Sequence, residues 1–133
     1  MPLDADDLIA LQRATHAVIL ALDAELAELG LSASELNLIA CLSPEGPRRI
    51  GEVIADTAQR PSTVTGILDR LERRGLVERS LDPGDRRSFR AALTPEGVAV
   101  RRKVLAGYER VAARTKGSAD FRSVLRALGR TEP

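Results

Sequence analysis

Apolar residues recur every three or four positions through the first thirty residues, which predicts one long helix over residues 4–29. Gly30 suits its end, because glycine tolerates the left-handed conformation of a helix C-terminus. Apolar side chains lie on more than one side of this helix, so we expect several neighbours, with a second copy of the chain a natural candidate. The main stripe is Leu8, Leu11, Thr15, Val18, Leu22, Leu26 and Leu29, widened by Ile9, His16, Ile19 and Leu20.

Three shorter helices are predicted next. Ser32 and Glu35 have the spacing of a capping box, so a second helix begins there and ends before the Pro- and Gly-containing stretch 43–47. A third helix is predicted over residues 50–57. The fourth is predicted over residues 61–74, with proline in its first position, where a missing N–H costs nothing.

A β-hairpin and two more helices complete the predicted elements. Residues 76–80 read as a strand, and residues 88–93 alternate apolar and polar side chains as a second strand does. Between them, Asp82-Pro83-Gly84-Asp85 has the residues of a type II turn. A fifth helix is predicted over residues 95–116. A sixth follows Gly117-Ser118 and carries an apolar face of Phe121, Val124, Leu125 and Leu128.

The order of these elements predicts a mainly α fold with a small β-hairpin wing. Two short helices in succession, a strand, a tight loop and a second strand form a helix-turn-helix followed by a wing. We therefore expect one domain over residues 1–133. Residues 31–94 would form a winged helix-turn-helix region, and the helices in 4–29 and 95–130 would serve dimerisation.

Composition and charge narrow the class of protein. With 44% hydrophobic and 29% charged residues, the chain is typical of globular proteins, and it has no apolar run long enough for a membrane span. Its acidic start is unlike a secretory signal, so we expect a cytoplasmic protein. Residues 1–45 carry one Arg and eight acids, whereas residues 46–103 carry thirteen Arg or Lys and eight acids. This basic middle suggests a face that meets a polyanion, although unevenly charged solvated helices remain an alternative.

The fourth predicted helix has side chains suited to a DNA groove. Its polar start, Ser62, Thr63 and Thr65, could read base edges, and Arg70 and Arg73 could hold phosphates. The alternative is that these hydroxyls only cap the helix. The residues expected to face inward are Val64, Ile67, Leu68 and Leu71.

The predicted wing carries arginines near its tip. Arg86 and Arg87 could enter an adjacent minor groove, whose negative potential attracts arginine. Asp85 would oppose phosphate binding if left free, so we expect it to pair with a nearby arginine and fix the loop. An ordinary hairpin with solvated charges is the alternative.

Taken together, three segments resemble the MarR family of winged-helix transcription regulators. They are GLSASELNLIACL (30–42), PSTVTGILDRLERRGLVER (61–79) and DPGDRRSFRAALTPEG (82–97). Asp85, Arg87, Leu93 and Thr94 match the family's wing signature at its usual spacing.

The resemblance implies a homodimer that binds double-stranded DNA at a palindromic operator with half-sites about 10 base pairs apart. It also implies a repressor released by a small phenolic or anionic effector, bound between the dimer region and the head. Within the implied DNA-binding segment, Arg60 and Pro61 precede the polar start of the helix. Arg60 replaces the usual Ser or Thr cap, so that cap should be weak unless Arg60 contacts phosphate, and Thr65 stands where some relatives carry a base-reading arginine.

His16, Asn37, Cys41 and Tyr108 are the residues that could line an effector pocket. A core or interface histidine and an inert buried thiol are the alternatives for His16 and Cys41. No catalytic group, metal-ligand cluster or cofactor motif is recognisable, so we expect neither an enzyme nor a cofactor. Two rival functions stay open, a winged-helix protein-interaction module and a non-specific nucleic-acid binder.

Overall fold

The computed structural model describes residues 2–115. The predicted sixth helix, and the part of the predicted C-terminal dimerisation segment beyond residue 115, lie outside this range. The helices are α1 (Ala5–Glu25), a short 3-10 helix (Ala27–Leu29), α2 (Ala33–Cys41), α3 (Ile50–Thr57), α4 (Pro61–Arg73) and α5 (Pro95–Thr115). The strands are β1 (Arg48–Arg49), β2 (Val77–Asp82) and β3 (Asp85–Leu93).

Local capping signals set the starts of the first two α-helices. The Glu35 N–H donates to Ser32 Oγ at 3.2 Å and the Ser32 N–H donates to Glu35 Oε1 at 3.3 Å, which confirms the predicted capping box. A second box joins Asp4 and Asp7 at the start of α1 and was not predicted. α1 ends earlier than predicted, and the chain continues through the 3-10 helix to Gly30, whose φ of 62° confirms the left-handed end.

The core lies between α2, α4 and the elements that cover them. The four residues of α4 predicted to face inward are all buried, which confirms the orientation of that helix. Together they contribute apolar area whose removal from water stabilises the winged helix-turn-helix region (residues 31–94), here called the head. The other fully buried side chains include Leu36, Leu38, Ile39, Val53, Val77 and Val104.

The sheet has three strands in the order β1-β3-β2, and both pairings are antiparallel. The predicted hairpin is present, and its strands extend further toward the turn than expected. β1 was not predicted, because two consecutive arginines show neither alternation nor β-branched side chains. It pairs Arg48 with Ala91 and Arg49 with Arg90, and so fixes the start of α3 to the wing.

The hairpin turn differs from the predicted type II turn. A type II turn needs a positive φ at Gly84, and the positive-φ glycines of the described residues are Gly30 and Gly75. The Asp82 carboxylate instead accepts a hydrogen bond from the Gly84 N–H at 3.0 Å. This side-chain bond stabilises the turn without a left-handed residue.

α5 begins where the sequence predicts and packs closely on the head. Thr94 Oγ1 donates to the Gly75 carbonyl at 2.6 Å and accepts from the Gly97 N–H at 3.0 Å, so one threonine joins the end of α4 to the start of α5. Further along, a Cβ at Gly107 would lie 2.5 Å from Leu26, so glycine is required where α5 crosses the end of α1. Within residues 2–115, the helices fall short of the combined length and apolarity that crossing a membrane requires.

Candidate nucleic-acid interface

The turn between α3 and α4 is held by backbone conformation and polar contacts. Ala58 ends α3 with a φ of 56°, and Thr57 Oγ1 donates to the Val53 carbonyl at 2.8 Å. Asn37 Nδ2 donates to the Thr57 carbonyl at 3.4 Å, which ties the turn to α2. Arg60 then precedes α4 without a capping side-chain bond, so the predicted weak cap is present.

The first turns of α4 present small hydroxyl side chains to solvent. Pro61, Ser62, Thr63 and Thr65 are all exposed. Thr65 Oγ1 donates to the Pro61 carbonyl at 3.0 Å, so its hydrogen is used within the helix and its lone pairs and methyl group face outward. The side-chain hydroxyls of Ser62 and Thr63 have no hydrogen-bond partner among residues 2–115.

The later part of α4 carries the basic side chains. Arg70 is about half exposed and lies 3.9 Å from Glu35, a loose ion pair that a phosphate can replace. Arg73 is exposed, and its Nε donates to the Asp69 carbonyl at 3.3 Å. Both side chains are therefore exposed to solvent, where phosphate oxygens could reach them.

Arg79 on β2 joins α4 to the wing, and sequence reasoning missed it. Its guanidinium lies 2.5 Å from Asp69 and 3.2 Å from Glu72, both on α4. Its hydrogen bonds hold the pKa of Glu72 below its usual range and raise the pKa of Arg79. The signal was present in the sequence as two acids three residues apart on α4, followed by an arginine on the next strand.

Asp85 fixes the wing differently from our prediction. Its carboxylate accepts from the Arg87 backbone N–H at 2.9 Å and from Ser88 Oγ at 3.2 Å. The predicted pairing of Asp85 with an arginine side chain is wrong, because the carboxylate is used by the adjacent backbone and hydroxyl. Another carboxylate in the wing pairs with arginines instead.

That carboxylate belongs to Asp82, which is only 3% exposed. It lies 3.2 Å from Arg49 Nε and 3.4 Å from Arg90 Nη2, and it also accepts from the Gly84 N–H. One buried group thus joins β1, β2, β3 and the hairpin turn. A buried carboxylate needs such partners, because burial of an unpaired charge is costly.

Arg86 and Arg87 lie at the start of β3, next to the Pro83-Gly84 turn. Both are exposed, and in the range 2–115 neither side chain has an ion pair or a side-chain hydrogen bond. Their positive charges are consequently available to a polyanion. The two arginines, the polar start of α4 and the basic residues after it make up the candidate DNA-contacting surface.

A separate cavity of about 410 Å³ lies between α1, α2, α5 and the turn before α4. Asn37 and Tyr108, two of the four predicted pocket residues, line it, and Gln59 joins them from the turn. Burial raises the pKa of the Tyr108 hydroxyl, which keeps that group neutral. The volume lies within the usual range for small-molecule sites.

The other two predicted pocket residues lie elsewhere. His16 is exposed on α1, because it follows Thr15 by about 100° around the helix and so turns away from the cavity. Cys41, at the end of α2, contacts Arg48, which donates to its carbonyl at 2.8 Å and reaches its Sγ at 3.2 Å. Burial raises the pKa of the Cys41 thiol, and the positive charge of Arg48 opposes part of that rise.

Comparison with known proteins places this arrangement among transcription regulators. The MarR family model matches residues 31–89. The transcriptional repressor MdtR of Bacillus subtilis is 34% identical over 85 residues, which is 64% of this chain and 55% of that protein. The chain therefore spans about half the length of the curated relatives it matches.

Two solved structures share the fold over nearly the whole chain. CouR from Rhodococcus jostii RHA1, solved bound to p-coumaroyl-CoA, is 31% identical over 94% of this chain and 88% of its own, with a TM-score of 0.74. BpsR of Bordetella bronchiseptica is 26% identical over 90% of this chain and 96% of its own, with a TM-score of 0.76, and the DNA binding of BpsR is regulated by 6-hydroxynicotinic acid. The chain has a winged helix-turn-helix region, matches the family model and is similar to these regulators. It therefore belongs to the MarR family of transcriptional regulators.

Proposed function

We propose that this protein is a sequence-specific regulator of transcription that binds double-stranded DNA. The observation that carries the proposal is that the start of α4 exposes hydroxyl side chains and the wing exposes two arginines that form no ion pair with residues 2–115. In this function α4 lies in the major groove, where Ser62, Thr63 and Thr65 read base edges and Arg60, Arg70 and Arg73 hold phosphates. Arg86 and Arg87 contact the adjacent minor groove.

We propose further that the working form is a homodimer. The large side chains on α1 remain exposed in the single chain, with Leu8 and Ile9 each at 44% and Leu20 at 68%. Several such side chains on one helix favour burial against a partner, since removing their area from water stabilises the complex. Two heads related by a two-fold axis would then meet a palindromic operator with half-sites about 10 base pairs apart.

The regulator is proposed to be a repressor that a small molecule releases from DNA in the cytoplasm. MdtR is a transcriptional repressor, and the DNA binding of BpsR is regulated by 6-hydroxynicotinic acid. In this chain the cavity beside Asn37 and Tyr108 reaches the turn that precedes α4 through Gln59. A ligand there could alter the position of α4. Release from DNA requires that the ligand bind the conformation with low DNA affinity more tightly than the DNA-binding conformation.

DNA binding can be tested directly by measuring the fluorescence anisotropy of a labelled duplex of about 30 base pairs over a range of salt concentrations. We expect affinity to fall steeply with salt, because bound phosphates release counterions. Arg87→Ala should weaken binding to every sequence and reduce the slope of log affinity against log salt by about 1 for each wing.

Arg13→Ala is the control, since Arg13 is exposed and outside the proposed DNA-contacting surface; because it lies on the helix proposed to dimerise, the oligomeric state of this variant is measured alongside. It should leave the slope unchanged. Absence of binding at low salt would favour the protein-interaction module. An Arg87→Ala slope equal to that of the unmodified protein would remove the wing from the interface.

A further inference from the structure

Leu81 and Phe89 form an exposed apolar pair on the wing. They lie directly opposite each other in the pairing of β2 with β3, and 55% of Leu81 and 50% of Phe89 remain exposed. Both side chains lie outside the hydrophobic core of the described residues. Packing across the two strands covers one side of such a pair and leaves the rest in water. Burial of this remaining apolar surface against a partner would therefore be favourable.

The pair lies on the face of the hairpin that is turned toward α4. Residues two apart on a strand share a face, so Leu81 lies on the same face as Arg79. The side chain of Arg79 binds two acids of α4, which identifies that face. In the register of the two strands, the pair of Leu81 and Phe89 is closer to the hairpin turn than Arg79 is. The pair consequently lies between α4 and the wing tip, which carries Arg86 and Arg87.

A strand of DNA would pass this position when the proposed contacts are made. In the proposed function α4 lies in the major groove and the wing tip meets the adjacent minor groove. The two grooves of a duplex are separated by a sugar-phosphate strand, so the surface between α4 and the wing tip faces that strand. Its phosphates are charged and match arginine, whereas its deoxyribose rings present carbon and hydrogen atoms. An apolar pair matches the rings.

We infer that Leu81 and Phe89 pack against deoxyribose rings of the strand that separates the two grooves. The inference rests on the proposed function and adds to it an apolar contact of the wing besides its arginines. Sugar rings are the same at every position of DNA, so this contact adds affinity without adding sequence preference. It neutralises no phosphate, so it also adds nothing to the salt dependence. These two properties distinguish it from base contacts by α4 and from phosphate contacts by arginine.

Two substitutions of Phe89 test the contact in the anisotropy titration with a labelled duplex. Phe89→Ser removes the apolar surface, whereas Phe89→Leu keeps much of it. We expect Phe89→Ser to bind about fivefold to tenfold more weakly at every salt concentration, with an unchanged slope of log affinity against log salt. Phe89→Leu should bind within about twofold of the unmodified protein. The loss in Phe89→Ser should be equal on two duplexes of unrelated sequence.

The slope also reports whether the wing keeps its position. Displacement of the wing would remove its arginines from the DNA and lower the slope, as Arg87→Ala is expected to do. Ser80→Ala is the control, because Ser80 is exposed on β2 next to Leu81 and so lies on the opposite face of the hairpin. It should change neither the affinity nor the slope.

Three outcomes would overturn this inference while DNA binding itself stands. Affinity of Phe89→Ser equal to that of the unmodified protein would show that this face does not touch DNA and would favour a protein partner for it. A lower slope would mean that the effect comes from the wing arginines, and a loss confined to one duplex would indicate a base contact. Failure of the unmodified protein to bind either duplex would instead reject the proposed function, and this inference with it.

Discussion

At the scale of single residues, Asp82 is the group that organises the wing. Its buried carboxylate holds Arg49, Arg90 and the Gly84 N–H, although none of these contacts touches the proposed DNA surface. We expect the position of the exposed wing arginines to depend on this arrangement. We therefore predict that Asp82 is a positioning residue for Arg86 and Arg87.

Asp82→Asn should lower DNA affinity about tenfold at every sequence, because the wing arginines are no longer held at the groove. It should also lower the free energy of unfolding by about 1–3 kcal/mol, the usual cost of leaving buried partners unsatisfied. Duplex binding and urea unfolding measure the two effects. Glu78→Gln, at an exposed position on the same strand, serves as the control and should change neither quantity. Affinity equal to that of the unmodified protein would show that Asp82 does not position the wing.

At Thr65, an effect of substitution on base recognition can be distinguished from an effect on folding stability. Its hydroxyl hydrogen already bonds the Pro61 carbonyl, so its outward lone pairs and methyl group are the parts left for a base. Thr65→Ala should alter sequence preference at one position of each half-site by about 1 kcal/mol. Comparison of the binding motifs of the two proteins tests this, and identical motifs would remove Thr65 from the reading surface.

At the scale of elements, the crossing of α1 and α5 depends on close approach at Gly107. A Cβ at Gly107 would meet three atoms of the buried Leu26 side chain within 2.7 Å, so α5 and the end of α1 would have to separate. Gly51, by contrast, is exposed on α3 and has no atom within 4 Å of such a Cβ. Alanine substitutions at these two glycines test whether packing or helix propensity dominates the change in stability.

Gly107→Ala should lower the free energy of unfolding by about 1–3 kcal/mol, as expected for an overpacked core. Gly51→Ala should raise it by up to about 1 kcal/mol, because alanine favours the helix more than glycine does. Urea unfolding at one fixed protein concentration compares them, which matters for a chain proposed to dimerise. Equal stability of the two variants would mean that α5 can shift without cost.

The elements also show which parts of the fold a sequence discloses. Helix starts were predictable at Ser32, Pro61 and Thr94, since capping and proline preferences act within a few residues. β1 was not predictable, because its pairing with β3 joins residues about forty apart in the chain and its two arginines carry no strand signal. The turn type failed for a similar reason, since the side chain of Asp82 decided the conformation of Gly84.

At the scale of the whole molecule, the exposed face of α4 was easier to predict than the lining of the cavity. The exposed face of α4 follows from the helical period, since Val64, Ile67, Leu68 and Leu71 fix the buried face. The cavity is assembled from three helices and a turn, so its lining depends on tertiary packing that no local pattern encodes. His16 and Cys41 were placed in it by residue type alone, whereas Gln59 had no distinguishing signal in the sequence.

Dimerisation connects these parts into one account of function. The acidic, apolar α1 lies outside the basic head, so a partner that covers it leaves the arginines of α4 and the wing free. A dimer would also double the number of phosphate contacts and so strengthen the proposed binding to an operator. The spacing of its two heads would then select the spacing of half-sites in DNA.

The most direct test of this account is selection of bound sites from a random duplex pool by the purified full chain. We predict enrichment of a palindrome whose half-sites lie about 10 base pairs apart, because two heads on a two-fold axis meet successive turns of one DNA face. Strong binding without an enriched motif would contradict specific recognition and identify a non-specific nucleic-acid binder.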